Sequence, residues 1–232
     1  MRQKRESAFT LIELLTVIAI IGILASILIP VVSSVRASAR AAVCIANLRE
    51  IHMGFTLYAE DHNGRFPSGG NNNYIQFADG QQNVRWNGAI FPYIIDVRDM
   101  PSAQRAPYLW DFRPNVATVF NCPETGPDFS GYNYKSNLRV TPVGTRRNIS
   151  MFESTVVLVA DGGGNDGPAN DFKLNPASAR DLFASNGVSF RHNDIANVVF
   201  MGGHVSRVQR EDIPPVAVDP DRELSLWGPP LN

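Results

Sequence analysis

The sequence is poor in cysteine, in net charge and in any recognisable catalytic pattern. Its two cysteines, Cys44 and Cys122, are too few for a disulfide scaffold. They do not form a C-x-x-C pair either, so a thiolate zinc site of that kind is excluded. The formal net charge is −1 over 232 residues. That balance gives no electrostatic case for nucleic acid or for an anionic membrane surface, and no basic-aromatic surface pattern adds one. No GxSxG, HExxH, Ser-His-Asp or phosphate-binding glycine loop is present. No repeat of fixed period is visible. The expectation from these absences is a chain that is not an enzyme and needs no cofactor.

What the chain does have is one long apolar run, Phe9 to Val32. A bilayer core of about 30 Å needs about 20 helical residues, so the run is long enough to span one. Leu14 to Val32 carries no charge, which leaves Glu13 as the exception. A carboxylate at helix depth in lipid costs about 2.5–3.5 kcal/mol on insertion scales, so it calls for a partner. Three readings compete. A secretory signal peptide would have basic Met1–Ala8 and a cut near Ala37-Ser38-Ala39, but it leaves a Glu in an overlong apolar core. A plain single-span anchor would set Glu13 at the interface.

The third reading rests on Ala8-Phe9-Thr10-Leu11-Ile12-Glu13, which closely resembles the type IV prepilin segment. The resemblance implies cleavage before Phe9 by a prepilin peptidase and methylation of the new amino group. It also implies that Glu13 pairs with the N-terminal amine of a neighbouring subunit, which is the partner the lipid requires. In that family Gly usually precedes the cut; here it is Ala8. Arg2, Lys4 and Arg5 before the run, against Arg36 and Arg40 after it, give a small positive-inside bias. The resemblance implies a cytoplasmic leader, a single pass through the inner membrane, and a head outside. Pro30 inside the run predicts a helix kink, since it lacks an N–H and frees the carbonyl of Ser26. Gly22 and Ser26 form a small-xxx-small pair that permits close helix approach.

Beyond Val32 the helical pattern continues. Ala37, Ala41, Cys44, Leu48, Ile51, Phe55 and Tyr58 recur at alternating spacings of four and three, an apolar stripe with Arg36, Arg40, Asn47 and Glu50 off it. Asn63-Gly64 is a left-handed stop, and Pro67 prevents resumption. The segment Cys44-Ile-Ala-Asn-Leu-Arg-Glu-Ile51, with Tyr58 and Phe66-Pro67 after it, is similar to a subfamily of bacterial pseudopilin-like proteins. A Cys44–Cys122 disulfide would stabilise by about 4–5 kcal/mol in the chain-entropy model. Two buried, unpaired cysteines are the alternative.

Residues 68–150 support no firm element; Asn71-Asn-Asn73, Asp79-Gly80 and Asn87-Gly88 read as turns. Val156–Ala160 reads as a buried strand. Runs at 188–192, 195–201 and 204–208, separated by Asn193-Asp194 and Gly202-Gly203, predict a three-stranded antiparallel meander. In it His192 would oppose Ile195 and His204 would oppose Met201, about 20 Å apart along one strand, too far to share a metal. Each is expected to cap a turn or bond a backbone carbonyl. His52 and His62, ten residues apart, are no pair either. The segment also resembles that subfamily's signature of a His, nine residues and Asp-Gly. Here His192 is followed by nine residues and Gly202-Gly203. Asp161, Asn165, Asp166 and Asp171 are a candidate Ca2+ set by oxygen chemistry, and calcium in a head loop occurs among type II secretion major pseudopilins. The spacing does not match the twelve-residue calcium loop, and Gly-Asp runs are more often turns.

The expected fold is α+β and pilin-like, with a long N-terminal helix packed on a C-terminal antiparallel sheet. Its segments are a leader at 1–8, a membrane and filament helix at 9–32, an amphipathic continuation at 33–62 and a head at 63–232. The resemblance implies a pseudopilin of a type II secretion or type IV pilus-like filament. Its implied partners are the prepilin peptidase, other pilin-like subunits and an inner-membrane assembly platform. A membrane-anchored ligand-binding or enzymatic domain that never polymerises is the alternative.

Overall fold

The computed structural model describes residues 11–70, 73–77, 80–95, 119–125, 133–162, 173–174, 187–213 and 227. It divides into two compact units, Met1–Ala39 and Arg40–Asn232. Helix α1, Leu11–Asp61, supplies residues to both.

In the first unit the α1 side chains face outward. Leu11 is 82% exposed and Ile29 70%, and the leucines, isoleucines and valines between them are exposed as well. This helix is long and apolar enough to cross a membrane. Thr16 Oγ1 and Ser26 Oγ donate back to the carbonyls of Glu13 (3.0 Å) and Ile23 (2.7 Å), so their hydroxyls are satisfied within the helix. Pro30 lies inside it.

In the second unit the α1 stripe turns inward, as its spacing requires. Cys44, Leu48, Ile51, Phe55 and Tyr58 are buried, while Ala41 is only half-buried, as is Ala37 in the first unit. The helix stops where expected. Asn63 and Gly64 both take positive φ (57° and 74°), and Gly64 N–H donates to the Ala59 carbonyl at 2.8 Å. Asn47 departs from the expectation: it is buried, not on the outer face. Its amide donates to the Asn121 carbonyl (3.0 Å) and the Tyr134 hydroxyl (3.3 Å), which removes the cost of burying it.

The region from 68 to 150 holds more structure than its composition suggests. Strands β1 (Asn73–Phe77) and β2 (Gly80–Val84) form an antiparallel pair with Phe77 opposite Gly80. Asn87-Gly88 is not a turn; it sits in helix α2, Trp86–Ile94. Trp86 stacks on Phe55 (centroids 5.3 Å apart), and Phe66 meets the same ring edge-on at 5.5 Å.

The main sheet has the order β5-β3-β4-β6-β7, with β3 at Tyr134–Asn137, β4 at Val157–Asp161, β5 at Lys173–Leu174, β6 at Ile195–Phe200 and β7 at Val205–Gln209. All pairings are antiparallel except β3 with β5. Strand β4 is apolar from Val157 to Ala160, because both its faces are covered, and ends on the buried Asp161. A bulge between Val157 and Val159 sets Leu158 and Val159 together in the helix-side core, with Val157 and Ala160 in a second core around Phe190, Val198 and Trp227.

The meander is corrected. Its Gly202-Gly203 hairpin exists between β6 and β7, but His204 opposes Phe200, not Met201, because the loop takes three residues. The run 188–192 is not a strand against β6. The other flank of β6 is filled by β4, and Val188 makes only an isolated bridge to Gly162. Asn193-Asp194 does form a tight turn, both residues at positive φ, closed by reciprocal bonds between His192 and Ile195.

Candidate functional site

Ala8 and Phe9 lie outside the described residues. Glu13 occupies the first turn of α1 and is exposed among apolar side chains. The partial positive charge of a helix N-terminus suits a carboxylate there.

The second cluster is in the other unit, where α1, the 119–125 turn, the end of β4, the 191–194 turn and β6 meet. Cys44 and Cys122 are joined as a disulfide, with Cα atoms 5.4 Å apart. His192, 4% exposed, brings Nε2 to 3.6 Å from Cys122 Sγ and 3.2 Å from Asp161 Oδ2. Asp161 ends β4 because a carboxylate at this depth finds donors at once. Its Oδ2 also accepts from Asn197 N–H (2.7 Å) and the Asn197 amide (3.0 Å). Arg191 reaches Asn133 Oδ1 at 2.9 Å and Ser189 Oγ at 3.2 Å, and it donates to the Gly162 carbonyl. Burial pulls the Arg191 pKa down and the Asp161 charge opposes that pull; burial pushes the Tyr134 hydroxyl up, and Asp161 pushes it further. Among the described residues, Asp161 Oδ1, His192 Nδ1 and Asn197 Oδ1 are buried without a hydrogen-bond partner.

Cysteine, histidine and aspartate in contact suggest a nucleophile, its base and an orienting acid. The geometry rejects this. Such a relay uses the two ring nitrogens separately, one toward the nucleophile and one toward the acid. Here Nε2 alone faces both Cys122 Sγ and Asp161 Oδ2, and the sulfur is already bonded to Cys44. The arrangement converges on one point instead of passing a proton along a line.

Two expected roles are corrected. His192 does not merely close a turn: its backbone does so, while its ring meets a buried carboxylate. His204 stacks on Phe200 with centroids 4.4 Å apart, at the other end of β6. His52 bonds the Met201 carbonyl through Nε2 at 3.1 Å, and His62 bonds the Tyr58 carbonyl through Nδ1 at 2.8 Å. As for the calcium set, Asp161 is 0% exposed with Oδ2 already satisfied, so it is no surface loop ligand. Asn165, Asp166 and Asp171 lie outside the described residues.

The signature glycines are closely surrounded. A Cβ on Gly202 would lie 3.0 Å from Ser154 Cβ and 3.2 Å from Ser154 O. Gly203 has φ +83° and the His52 ring 3.0 Å from any added Cβ. The Asp161–His192–Asn197 group escaped sequence reasoning, although a signal existed. Asp161 closes the run Val156–Ala160, and Asn197 interrupts Ile195–Met201. A polar residue inside a strand buried on both faces needs a partner of its own.

Comparison with known proteins adds two matches. The model described as a prokaryotic N-terminal methylation motif covers residues 3–29. The model described as a protein of unknown function (DUF1559) covers residues 33–196, well over half the chain. No curated protein and no solved structure matches significantly.

Proposed function

The chain belongs to the family of proteins of unknown function (DUF1559), and from that premise we propose that it is a pseudopilin, a structural subunit of a type II secretion or type IV pilus-like filament. Its N-terminus is of the type IV pilin-like, prepilin class, which implies a membrane anchor, processing by a prepilin peptidase and pilin-like assembly in general. The finer reading adds residues. The peptidase cuts between Ala8 and Phe9, and Phe9 provides the amine that is methylated. Glu13 pairs with that amine on a neighbouring subunit, and the charge pair sets stagger more than it adds stability. Lateral packing of exposed apolar helices, on an inner-membrane platform, drives assembly. The leader is cytoplasmic, the chain crosses the inner membrane once, and the head lies outside. In this reading the protein is a substrate of enzymes and not one itself.

The single observation carrying the proposal is the overlap of the methylation motif with an exposed apolar helix that holds one carboxylate, Glu13, in its first turn. The test is the N-terminus and intact mass of the mature protein, expressed with a prepilin peptidase. A chain starting at N-methylated Phe9 is the expected result. An intact Met1 would favour the anchored domain that never polymerises, and a start at Arg40 would mark a discarded signal peptide; either overturns the proposal.

A further inference from the structure

The disulfide accounts for two of the buried reactive atoms in the head, but not for the histidine and carboxylate gathered on it. Cys44 Sγ, Cys122 Sγ and a ring nitrogen of His192 all lie within 4.8 Å of one another, and all three residues are buried. Asp161 Oδ2 sits 3.2 Å from the same Nε2 that is 3.6 Å from Cys122 Sγ. Zinc–sulfur bonds of about 2.3 Å and zinc–nitrogen or –oxygen bonds of about 2.0–2.1 Å place tetrahedral ligands about 3.6 Å apart for S and N, and about 3.4 Å for N and O. The Cys122 Sγ–His192 Nε2 separation matches the first, while the His192–Asp161 contact is shorter than the second and is a hydrogen-bonded pair. The third, between the sulfurs, is set by the covalent bond and would open to about 3.8 Å around zinc. Opening needs only side-chain torsions, since both cysteines hang from backbones 5.4 Å apart.

The geometry points to a redox-switched site for a thiophilic cation, Zn2+, built by Cys44, Cys122 and His192 once a dithiol has reduced the disulfide and become one itself, with Asp161 beside the imidazole. The ligand set is two thiolates and one imidazole, a three-residue zinc set that leaves the fourth position to water. Binding to the reduced chain releases two protons, one from each thiol. A disulfide oxidant reverses it by thiol–disulfide exchange. The Cys44–Cys122 bond forms, the oxidant's S–S bond breaks, its two sulfurs take the electron pair as thiolates, and Zn2+ leaves. Zn2+ cancels the charge of the two thiolates, so the metal-bound state leaves Asp161 with the same counter-charge, the buried Arg191, as the disulfide state. In the disulfide state Nε2–H donates to Asp161 and Nδ1 is left without a partner. With metal on Nε2 the proton moves to Nδ1, where a water must supply the acceptor that a ligating histidine needs.

The test uses the full chain in detergent, disulfide-bonded or reduced by a phosphine, titrated with Co2+ as a spectroscopic stand-in and then with Zn2+. The reduced chain should take up one Co2+ with thiolate-to-cobalt charge-transfer absorption. Zn2+ should bleach that band, a small-molecule disulfide should abolish it, and the oxidised chain should show none. Asp161→Asn should weaken binding by about 10–100-fold, and His192→Ala by more. A reduced, folded chain without the band overturns the proposal, as does a band of equal affinity in His192→Ala. Should that variant fail to fold, X-ray absorption of the zinc-loaded wild type decides: imidazole scattering supports the site and its absence overturns it. If the reduced chain unfolds without metal, Zn2+ should restore its far-ultraviolet circular dichroism, and failure to do so overturns the proposal equally.

Discussion

The two units of this chain use the same helix residues to opposite ends. In Met1–Ala39 the described leucines and isoleucines are exposed; in Arg40–Asn232 the same residue types are buried against β4, β6 and α2. Large apolar surface left bare in one unit, beside a completed core in the other, separates a segment made for lipid and partners from one made for autonomous folding. A substitution should therefore affect folding in the second unit and membrane association or assembly in the first.

The largest effect is expected from the disulfide. Its 78-residue loop predicts that Cys44→Ala with Cys122→Ala costs about 4–5 kcal/mol in the chain-entropy model, a sizeable share of the stability of an ordinary domain. Chemical unfolding of the full chain in detergent measures it. An unchanged midpoint would mean that the head does not rely on the cross-link, and the contrast between the units would rest on packing alone.

Packing comes next. Phe55 is fully buried between Trp86 and Phe66, and Phe55→Ala should cost about 3–5 kcal/mol. A smaller loss, about 1–3 kcal/mol, is expected of Gly203→Ala, where the left-handed backbone and the His52 ring both resist a side chain. Equal losses for Gly22→Ala, which meets nothing within 4 Å, would break the comparison.

Alkaline unfolding sharpens it further. Tyr134 is buried beside Asp161, and its folded pKa is raised above the ordinary tyrosine range. Above a pH of about 10 the unfolded chain ionises this tyrosine while the folded chain holds its proton. The folded state then binds more protons, so stability is full below that pH and falls as pH rises, by about 1.4 kcal/mol per pH unit. Tyr134→Phe should flatten this slope; an unaltered slope would exclude Tyr134 as its source.

How much of this was legible follows the same division. The apolar run and the inward stripe from Cys44 to Tyr58 could be read because helical periodicity is local. Val156–Ala160 was legible because a strand covered on both faces is uniformly apolar. Strand β3 was not: Tyr134-Lys-Ser-Asn137 is mostly polar yet wholly buried, held by bonds such as Asn137 Nδ2 to the Val157 and Trp227 carbonyls at 2.8 and 3.0 Å. The missing meander strand failed for a related reason. Asn193-Asp194 does make a hairpin-like turn, but the place beside β6 went to β4, about 40 residues earlier, and turn chemistry cannot rank a distant strand against a near one. Asn47 was set on the wrong face because its partners, Asn121 and Tyr134, are still more distant, 74 and 87 residues away in sequence. Polar residues whose partners are non-local are where local pattern is silent.

The smallest effects on folding are expected in the first unit, and they decide the comparison. Ile18 is 56% exposed, so Ile18→Ala removes no core contact and should change unfolding by less than about 0.5 kcal/mol. Glu13→Val should be equally neutral for the head and should leave membrane insertion intact, since it removes a charge from an apolar segment. Incorporation into filaments, scored by co-purification of tagged and untagged copies from sheared cells, should nevertheless drop for Glu13→Val and much less for Ile18→Ala. In the proposed pairing the carboxylate would set register between copies, whereas one isoleucine among many would contribute only area. Equal loss in both variants would mean that the helix assembles by hydrophobic area alone. Normal incorporation of Glu13→Val would remove the carboxylate from assembly and leave the first unit as an anchor.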